Sequence, residues 1–222
     1  EVWDGNMANS QALRQADVDV VAAYPITPST ATVENYAMFH ANGYIDGEVM
    51  MTESEHAAMS ACIGAGAAGG RVATATSSQG LALMIETLYQ ASGMRIPVVL
   101  CLVNRALAAP LNVNGDHSDL YLTRDSGWIS IDAFNPQQAY DMTLMAFKIS
   151  EHPDVRLPVI SNQDGFMTSH TAQNVIPLED KVACDFVGPY LQVNALLNFD
   201  KPVTHGVQTE QDWHFEHKAK QH

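Results

Sequence analysis

Two glutamates, Glu53 and Glu55, stand at the head of a run dominated by small residues in MMTESEHAAMSACIGAGAAGG. A carboxyl pair in that setting does one of two things. It complements the positive end of a helix dipole, or one member is held inside a site where it can bind or move a proton. Other polar islands interrupt an otherwise bland chain: Pro25-Ile26-Thr27-Pro28-Ser29, Ser77-Ser78-Gln79-Gly80, Asn104-Arg105 and Asp164-Gly165. Arg105 follows an apolar run and precedes Ala-Leu-Ala-Ala-Pro. A cation at so apolar an edge needs an anion, and a guanidinium fork suits a carboxylate. The plain alternatives are a surface arginine and, for Thr27, a turn threonine between prolines.

The elements that must position these residues are legible as alternating runs. Strands are predicted at Val18 to Tyr24, Gly47 to Thr52, Arg71 to Ser77, Pro97 to Asn104, Trp128 to Phe134 and Leu157 to Asn162. Most are apolar on both faces, as strands of a buried parallel sheet are. Helical patterns lie between them: Asn6 to Ala16, Thr30 to His40, Glu55 to Ala68, Leu81 to Met94 and Pro136 to Ser150. Strand–helix alternation predicts a three-layer α/β fold, with helices on both faces of a mostly parallel sheet. Right-handed crossovers put all strand C-termini on one edge. Ligands of open α/β sheets bind at that edge, and the polar islands all fall there. The α/β domain is expected over residues 1–182. From 183 to 222 scattered Pro and Gly break the pattern. That stretch reads as an irregular linker or extension, with a helix start at Glu210, leading toward a partner or a further domain.

Composition narrows the function. With 25 acidic against 11 basic residues the formal net charge is −14, so a basic nucleic-acid-binding face is not expected. The 46% hydrophobic and 16% charged content favours a buried core over disorder. No apolar run reaches the length of a membrane span and no leader pattern is visible. Cys62, Cys101 and Cys184 lie far apart without a C-x-x-C pair, so this chain alone cannot ligate an iron–sulfur cluster. Three reduced thiols and a cytoplasmic location are expected, with Cys62 and Cys101 packing as small hydrophobes.

Several motif matches are weighed against plainer readings. Gly64-Ala-Gly66-Ala-Ala-Gly69 spells G-x-G-x-x-G, but it closes a helix where a dinucleotide fingerprint must open one. Small residues allowing close helix–sheet packing explain it better, with Gly69-Gly70 ending the helix. Thr76 to Gly80 falls short of the G-x-S-x-G elbow. His214 and His217 lack further ligands at matching spacing. Asp164-Gly165 with Asn194 is a chance echo of a thiamine-type magnesium motif without its leading Gly.

Seven segments nevertheless occur together and in order: Tyr24-Pro-Ile-Thr-Pro-Ser29, Glu53-Ser-Glu-His56, Thr74-Ala-Thr-Ser-Ser-Gln-Gly80, Val103-Asn-Arg-Ala106, Gly115-Asp-His-Ser-Asp119, Arg124-Asp-Ser-Gly-Trp128 and Asp164-Gly-Phe166. Over Gly5 to His170 the chain resembles the α subunit of the 2-oxoacid:ferredoxin oxidoreductases, the family of pyruvate:ferredoxin oxidoreductase. The Glu-Ser-Glu-His form is similar to the multi-subunit branch.

The resemblance implies a thiamine-diphosphate-binding α/β module that grips the aminopyrimidine of the cofactor. Glu55 is then the residue that bonds N1′. Pro25, Ser78 and Gln79 are further cofactor contacts, and Thr27 and Arg105 are substrate contacts. A β-type partner subunit would hold the diphosphate and Mg²⁺, so no metal ligand is expected here. A ferredoxin-like subunit would carry the iron–sulfur clusters, alongside a γ-type subunit. The implied reaction is CoA-dependent oxidative decarboxylation of pyruvate or a larger 2-oxoacid. Asp116 and Asp119 are read as capping and subunit-contact residues. Asn114 replaces an aromatic residue of the family, and if it lines the pocket a larger acyl group, such as an aryl one, would fit. A non-catalytic scaffold subunit and a non-redox thiamine-dependent decarboxylase or transketolase-type subunit are the alternatives. An iron–sulfur chain co-purifying with this one separates them.

Overall fold

The computed structural model describes residues 1–191, 193–206 and 208–221. Six parallel strands form one sheet in the order β3-β2-β4-β5-β7-β6: β2 (Val20–Ala23), β3 (Glu48–Met51), β4 (Val72–Thr76), β5 (Val98–Val103), β6 (Ile129–Ala133) and β7 (Val159–Gln163). Each lies within a predicted run or overshoots it by one residue. The central β4, β5 and β7 are buried throughout. The two edge strands are partly open, and β3 leaves Met50 and Met51 exposed.

Strand alternation divides the core into two layers. Val98, Leu100 and Leu102 face one layer with Met59, Leu81 and Met84, from helices α3 (Glu55–Ala68) and α4 (Ser78–Gly93). Val99 and Cys101 face the other, with Leu13, Tyr36 and Phe147, from α1 (Gly5–Gln15), α2 (Thr30–Ala41) and α6 (Pro136–Ser150). Cys62 and Cys101 are fully buried, and desolvation pushes both thiols up to about 12. They pack as apolar residues; Cys184 is exposed.

The glycine-rich end of α3 is a packing device. A Cβ on Gly66 would lie 2.5 Å from Ile96 Cγ2 and 3.3 Å from Val72 Cγ2. Gly69, at φ +116, ends the helix in the left-handed conformation that glycine adopts without strain.

Four short elements escaped the sequence pattern. Strands β1 (Val2–Trp3) and β8 (Gln173–Asn174) pair as an antiparallel ribbon too short to alternate. Helix α5 (Ser118–Tyr121) is a single turn. Helix α7 (Asp180–Val187) buries only Ala183 and Val187 and crosses the 182/183 boundary drawn from sequence. Helix α8 (Gln211–Ala219) begins after Glu210 at its N-cap.

One buried arginine ties α7 to the domain. Arg71 makes a bidentate pair with Glu151 at 2.7 and 2.8 Å, and donates to Ala16 O and, at 2.8 Å, to Gly188 O. Its guanidinium also stacks near Phe147 and Tyr190. Removing one member of a buried pair strands the other charge. Arg71→Met is therefore expected to destabilise the fold by about 3–5 kcal/mol. The double variant with Glu151→Leu should recover most of the loss. Urea unfolding of both variants checks this.

Candidate functional site

The site is built from the loops that leave the carboxyl ends of the strands. Thr52 Oγ1 bridges the end of β3 to Ala23 O of β2 at 3.2 Å, and to Ser54 O at 2.9 Å. Ser54 then caps α3, its Oγ accepting from Ala57 N at 3.2 Å. The helix start thus has its cap without either glutamate.

The two glutamates point to different environments. Glu53 is exposed, whereas Glu55 is only 7% exposed. The carboxyl of Glu55 rests against Gly80 in the first turn of α4. A Cβ on Gly80 would lie 2.6 Å from Glu55 Oε1 and would overlap Thr76 Oγ1. Only glycine leaves the carboxyl its place. No described residue donates a hydrogen bond to that carboxyl. Thr76 Oγ1 beside it is buried without a partner, and so is Ser77 Oγ of the next residue. Buried polar atoms are seldom left unpaired in a finished structure, so this corner is shaped for a group that completes it.

The turn after β4 joins this corner to a second one. Ser78 adopts φ +48, sparsely populated for a non-glycine residue. Its N–H donates to Asp119 Oδ2 at 2.9 Å and its Oγ to Ala106 O at 2.6 Å. Gln79 Oε1 also lies 2.5 Å from that hydroxyl. Asp119 is fully buried and accepts further from Arg105 N at 3.0 Å, Asn104 Nδ2 at 2.8 Å and Leu120 N at 2.8 Å. Burial pushes its carboxyl above the usual carboxylate range, while these donors pull it back. Asp119 is thus an interior tie between loops, and through Ser78 N it caps the first turn of α4, as the capping expectation had it. Asp116 caps as well, accepting from Ser118 N at 2.7 Å.

Arg105 and Thr27 meet. With β2 and β5 on either side of β4, Arg105 reaches across to donate from Nη1 to Thr27 O at 3.1 Å. Its Nε donates to Asn112 O at 3.3 Å. Its Nη2 makes no hydrogen bond among the described residues, leaving that donor for a ligand. Thr27 and Pro25 are exposed in the β2–α2 loop. Asn6 Nδ2 holds that loop through Pro28 O at 3.0 Å, and Thr32 Oγ1 fixes Asn6 Oδ1 at 2.8 Å.

The sequence missed the interior tie at Asp119 and the roles of Thr76 and Asn6. The Asp-His-x-Asp spacing was a usable signal for the first. A threonine in an apolar strand and an asparagine in a helix gave none. Asn114 is exposed and its amide donates to Asn112 Oδ1 at 2.9 Å, within its own loop. Asn194 lines a groove with Arg95 and His205, which lies at the opposite, amino edge of the sheet. Among the described residues no cluster of three or more His, Cys, Asp or Glu is arranged for a metal, and no helix is long and apolar enough to cross a membrane.

A parallel α/β sheet with a buried carboxyl and an arginine at its carboxyl edge makes that edge a candidate small-molecule site. Comparison with known proteins gives the family. Residues 11–222 match the family described as pyruvate flavodoxin/ferredoxin oxidoreductase, thiamine diphosphate-binding. The chain belongs to that family. It is 49% identical over 217 residues to pyruvate synthase subunit PorA of Thermotoga maritima, covering 98% of this chain and 55% of the relative. It is 51% identical to the corresponding subunit of Methanocaldococcus jannaschii, covering 93% and 53%. Ketoisovalerate oxidoreductase subunit VorA of Pyrococcus furiosus is 43% identical, with 99% and 55% covered. The chain therefore spans about half the length of these curated relatives. Among solved structures, a 2-oxoglutarate:ferredoxin oxidoreductase from Magnetococcus marinus, with 2-oxoglutarate, coenzyme A and succinyl-CoA bound, superposes with a TM-score of 0.74. It shares 25% identity, over 88% of this chain and 33% of that one.

The tie at Asp119 can be tested directly. Asparagine offers one oxygen where two now serve four N–H donors, so its amide would face donors with a donor. Asp119→Asn should cost about 2–4 kcal/mol, from two unsatisfied buried groups. Asp116→Asn, in the exposed turn, should cost less than about 1 kcal/mol. Denaturant unfolding of the two full-length variants makes the comparison.

Proposed function

We propose that this chain supplies the aminopyrimidine half of a thiamine-diphosphate site in a 2-oxoacid oxidoreductase complex. The complex would convert a 2-oxoacid and CoA to acyl-CoA and CO₂, passing two electrons to an iron–sulfur acceptor. The observation that carries this reading is Glu55: buried, without a protein donor, and given room only by Gly80. The unpaired hydroxyls of Thr76 and Ser77 extend the same polar corner. This donor and acceptor set fits an aminopyrimidine edge. Family membership in a thiamine-diphosphate-binding group supports the same cofactor.

When bound, thiamine diphosphate supplies the nucleophilic carbon and the electron sink that decarboxylation of a 2-oxoacid requires. The chain's residues do the rest. Glu55 holds a proton at N1′ of the aminopyrimidine. Ser78 and Gln79, in the first turn of α4, and Pro25, after β2, line the cofactor. Arg105 binds the 2-oxoacid carboxylate with its remaining donors, and Thr27 fixes the guanidinium from behind through its carbonyl. The diphosphate and Mg²⁺ belong to a β-type partner, the iron–sulfur clusters to a ferredoxin-like one, and a γ-type subunit completes the complex. Pyruvate is the favoured substrate, since the relatives named pyruvate synthase subunits are those at 49% and 51% identity. The domain division at 182/183 is kept as a proposal, with residues 183–222 leading from the cofactor module to the rest of the subunit.

Glu55→Gln keeps the shape and a hydrogen bond but cannot exchange a proton. In the assembled complex it should bind cofactor by calorimetry, yet lose about 10²–10⁴-fold in rate, the usual share of general acid–base catalysis. Hydrogen–deuterium exchange at C2 of the bound cofactor should slow in parallel, whereas the exposed Glu53→Gln should leave it nearly unchanged. Wild-type exchange in Glu55→Gln would mean that the carboxyl is structural only.

Arg105→Ala should lower kcat/KM for the 2-oxoacid by about 10- to 150-fold, equivalent to about 1.5–3 kcal/mol for a charge-assisted contact. Lysine should restore it only in part, lacking the fork. Steady-state kinetics of the assembled complex decide, and an unchanged kcat/KM refutes the assignment.

A further inference from the structure

His117 stands outside the roles assigned so far. Its Nε2 lies 2.8 Å from Asp164 Oδ2, at the exit of β7. An ionised carboxylate only accepts, so Nε2 carries the hydrogen. On its other side Asp164 is packed against Gly115 rather than hydrogen-bonded. Its Oδ1 is buried without a partner, and a Cβ on Gly115 would lie 2.6 Å from that atom and 2.7 Å from Gly165 O. The loop that carries His117 therefore closes tightly on the end of β7.

The same loop sets the position of Arg105. Residues 106–118 leave β5 and return to α5, exposed from Ala108 to His117. Inside the loop Ala106 N donates to Asn114 O at 3.2 Å and Leu107 N to Ser118 Oγ at 3.3 Å. Asn114 N and Nδ2 both donate to Asn112 Oδ1. Asn112 O then accepts from Arg105 Nε at 3.3 Å. His117 thus fixes one end of the loop whose internal hydrogen bonds lead, through Asn114 and Asn112, to the guanidinium. Near its start the loop is tied to the turn after β4 by Ser78 Oγ donating to Ala106 O; the His117–Asp164 bond ties its far end to the segment leaving β7.

We propose that the His117–Asp164 bond is a latch that holds the 106–118 loop closed and so positions Arg105 for the 2-oxoacid carboxylate, making His117 a positioning residue that sets substrate affinity. This rests on the reading of Arg105 as the carboxylate's partner.

The test uses the assembled complex. His117→Ala should raise KM for the 2-oxoacid by about 5- to 12-fold, the upper end of the usual net worth of one hydrogen bond, with kcat changed less. KM for CoA should stay at the wild-type value. His117→Gln, which still presents an N–H at similar reach, should return the 2-oxoacid KM to within about threefold of wild type. Independently of turnover, amide exchange over residues 106–118 should quicken in His117→Ala and not in His117→Gln. Asp164→Ala should match His117→Ala, and the double variant should be no worse than either.

Other results overturn the proposal in distinguishable ways. If Arg105→Ala raises the 2-oxoacid KM and His117→Ala does not, the latch is wrong and the substrate assignment stands. If His117→Ala acts and Arg105→Ala does not, the substrate assignment fails and takes the inference with it. Equal damage by Ala and Gln, an equal rise in the CoA KM, or additive effects at His117 and Asp164 reduce the contact to general loop stability. Should His117→Ala fail to assemble, the Gln and Asp164→Ala variants carry the same decision.

Discussion

The carboxyl edge of this sheet is organised around one buried carboxylate. Asp119 accepts four N–H donors from three segments: the turn after β4, the end of β5 and the single turn of α5. Desolvation disfavours its charge, and the converging donors are what make the charge tolerable there. Such an arrangement is all-or-nothing. A donor that moves away leaves a buried N–H or a poorly compensated charge, so the segments hold one another in register. Ser78 keeps a left-handed backbone because Asp119 and Ala106 take its two donors. Arg105 begins its side chain from a backbone N–H fixed by the same carboxylate.

Both halves of the candidate site hang from this tie, and Arg105 reaches over β4 to the loop after β2. Toward β2 and β3, α4 brings Gly80 against Glu55, and the absence of one methyl group decides where the carboxyl sits. Toward β7, the long loop after β5 carries the contacts that orient Arg105. Rigidity is unequal between them. The Glu55 half lies between two helices packed on a fully buried strand, whereas the Arg105 half hangs on a solvent-exposed loop with few anchors. A site that needs a fixed proton relay and an adjustable substrate clamp would divide its stability this way. Glu53 and Glu55, two residues apart, show how sharply the fold separates chemistry from solvation. Ser54 takes the capping duty that either glutamate could have shared.

Much of this was legible in the chain itself, because the relevant physics is local. Continuous apolar runs such as β5 report burial on two faces and the apolar spacing of α6 burial on one, so the parallel sheet, its helices and the edge where polar loops gather could be read directly. The glycines ending α3 were readable for the same reason, since a helix must stop and pack. What escaped was either too short to carry a period, as in β1, β8 and α5, or a brief helix in a stretch broken by Pro and Gly beyond the strand–helix alternation, as in α7. Motif order named Glu55, Thr27 and Arg105 as site residues. Residue type and local pattern alone did not separate Glu55 from Glu53; the resemblance did.

That distinction, and the roles of Asp119, Gly80 and His117, arise from contacts between segments far apart in sequence. Ser78 and Asp119 are 41 residues apart, and His117 and Asp164 are 47. A carboxylate has the same sequence signature whether it caps a turn, faces solvent or gathers donors in the interior. Its role depends on dielectric surroundings and on which N–H groups arrive within hydrogen-bond reach. The sequence by itself determined which residues could act and on which edge they stand. Only the tertiary structure decided which of them are desolvated, paired or left without a partner, because burial and pairing are properties of the assembled loops rather than of any one of them.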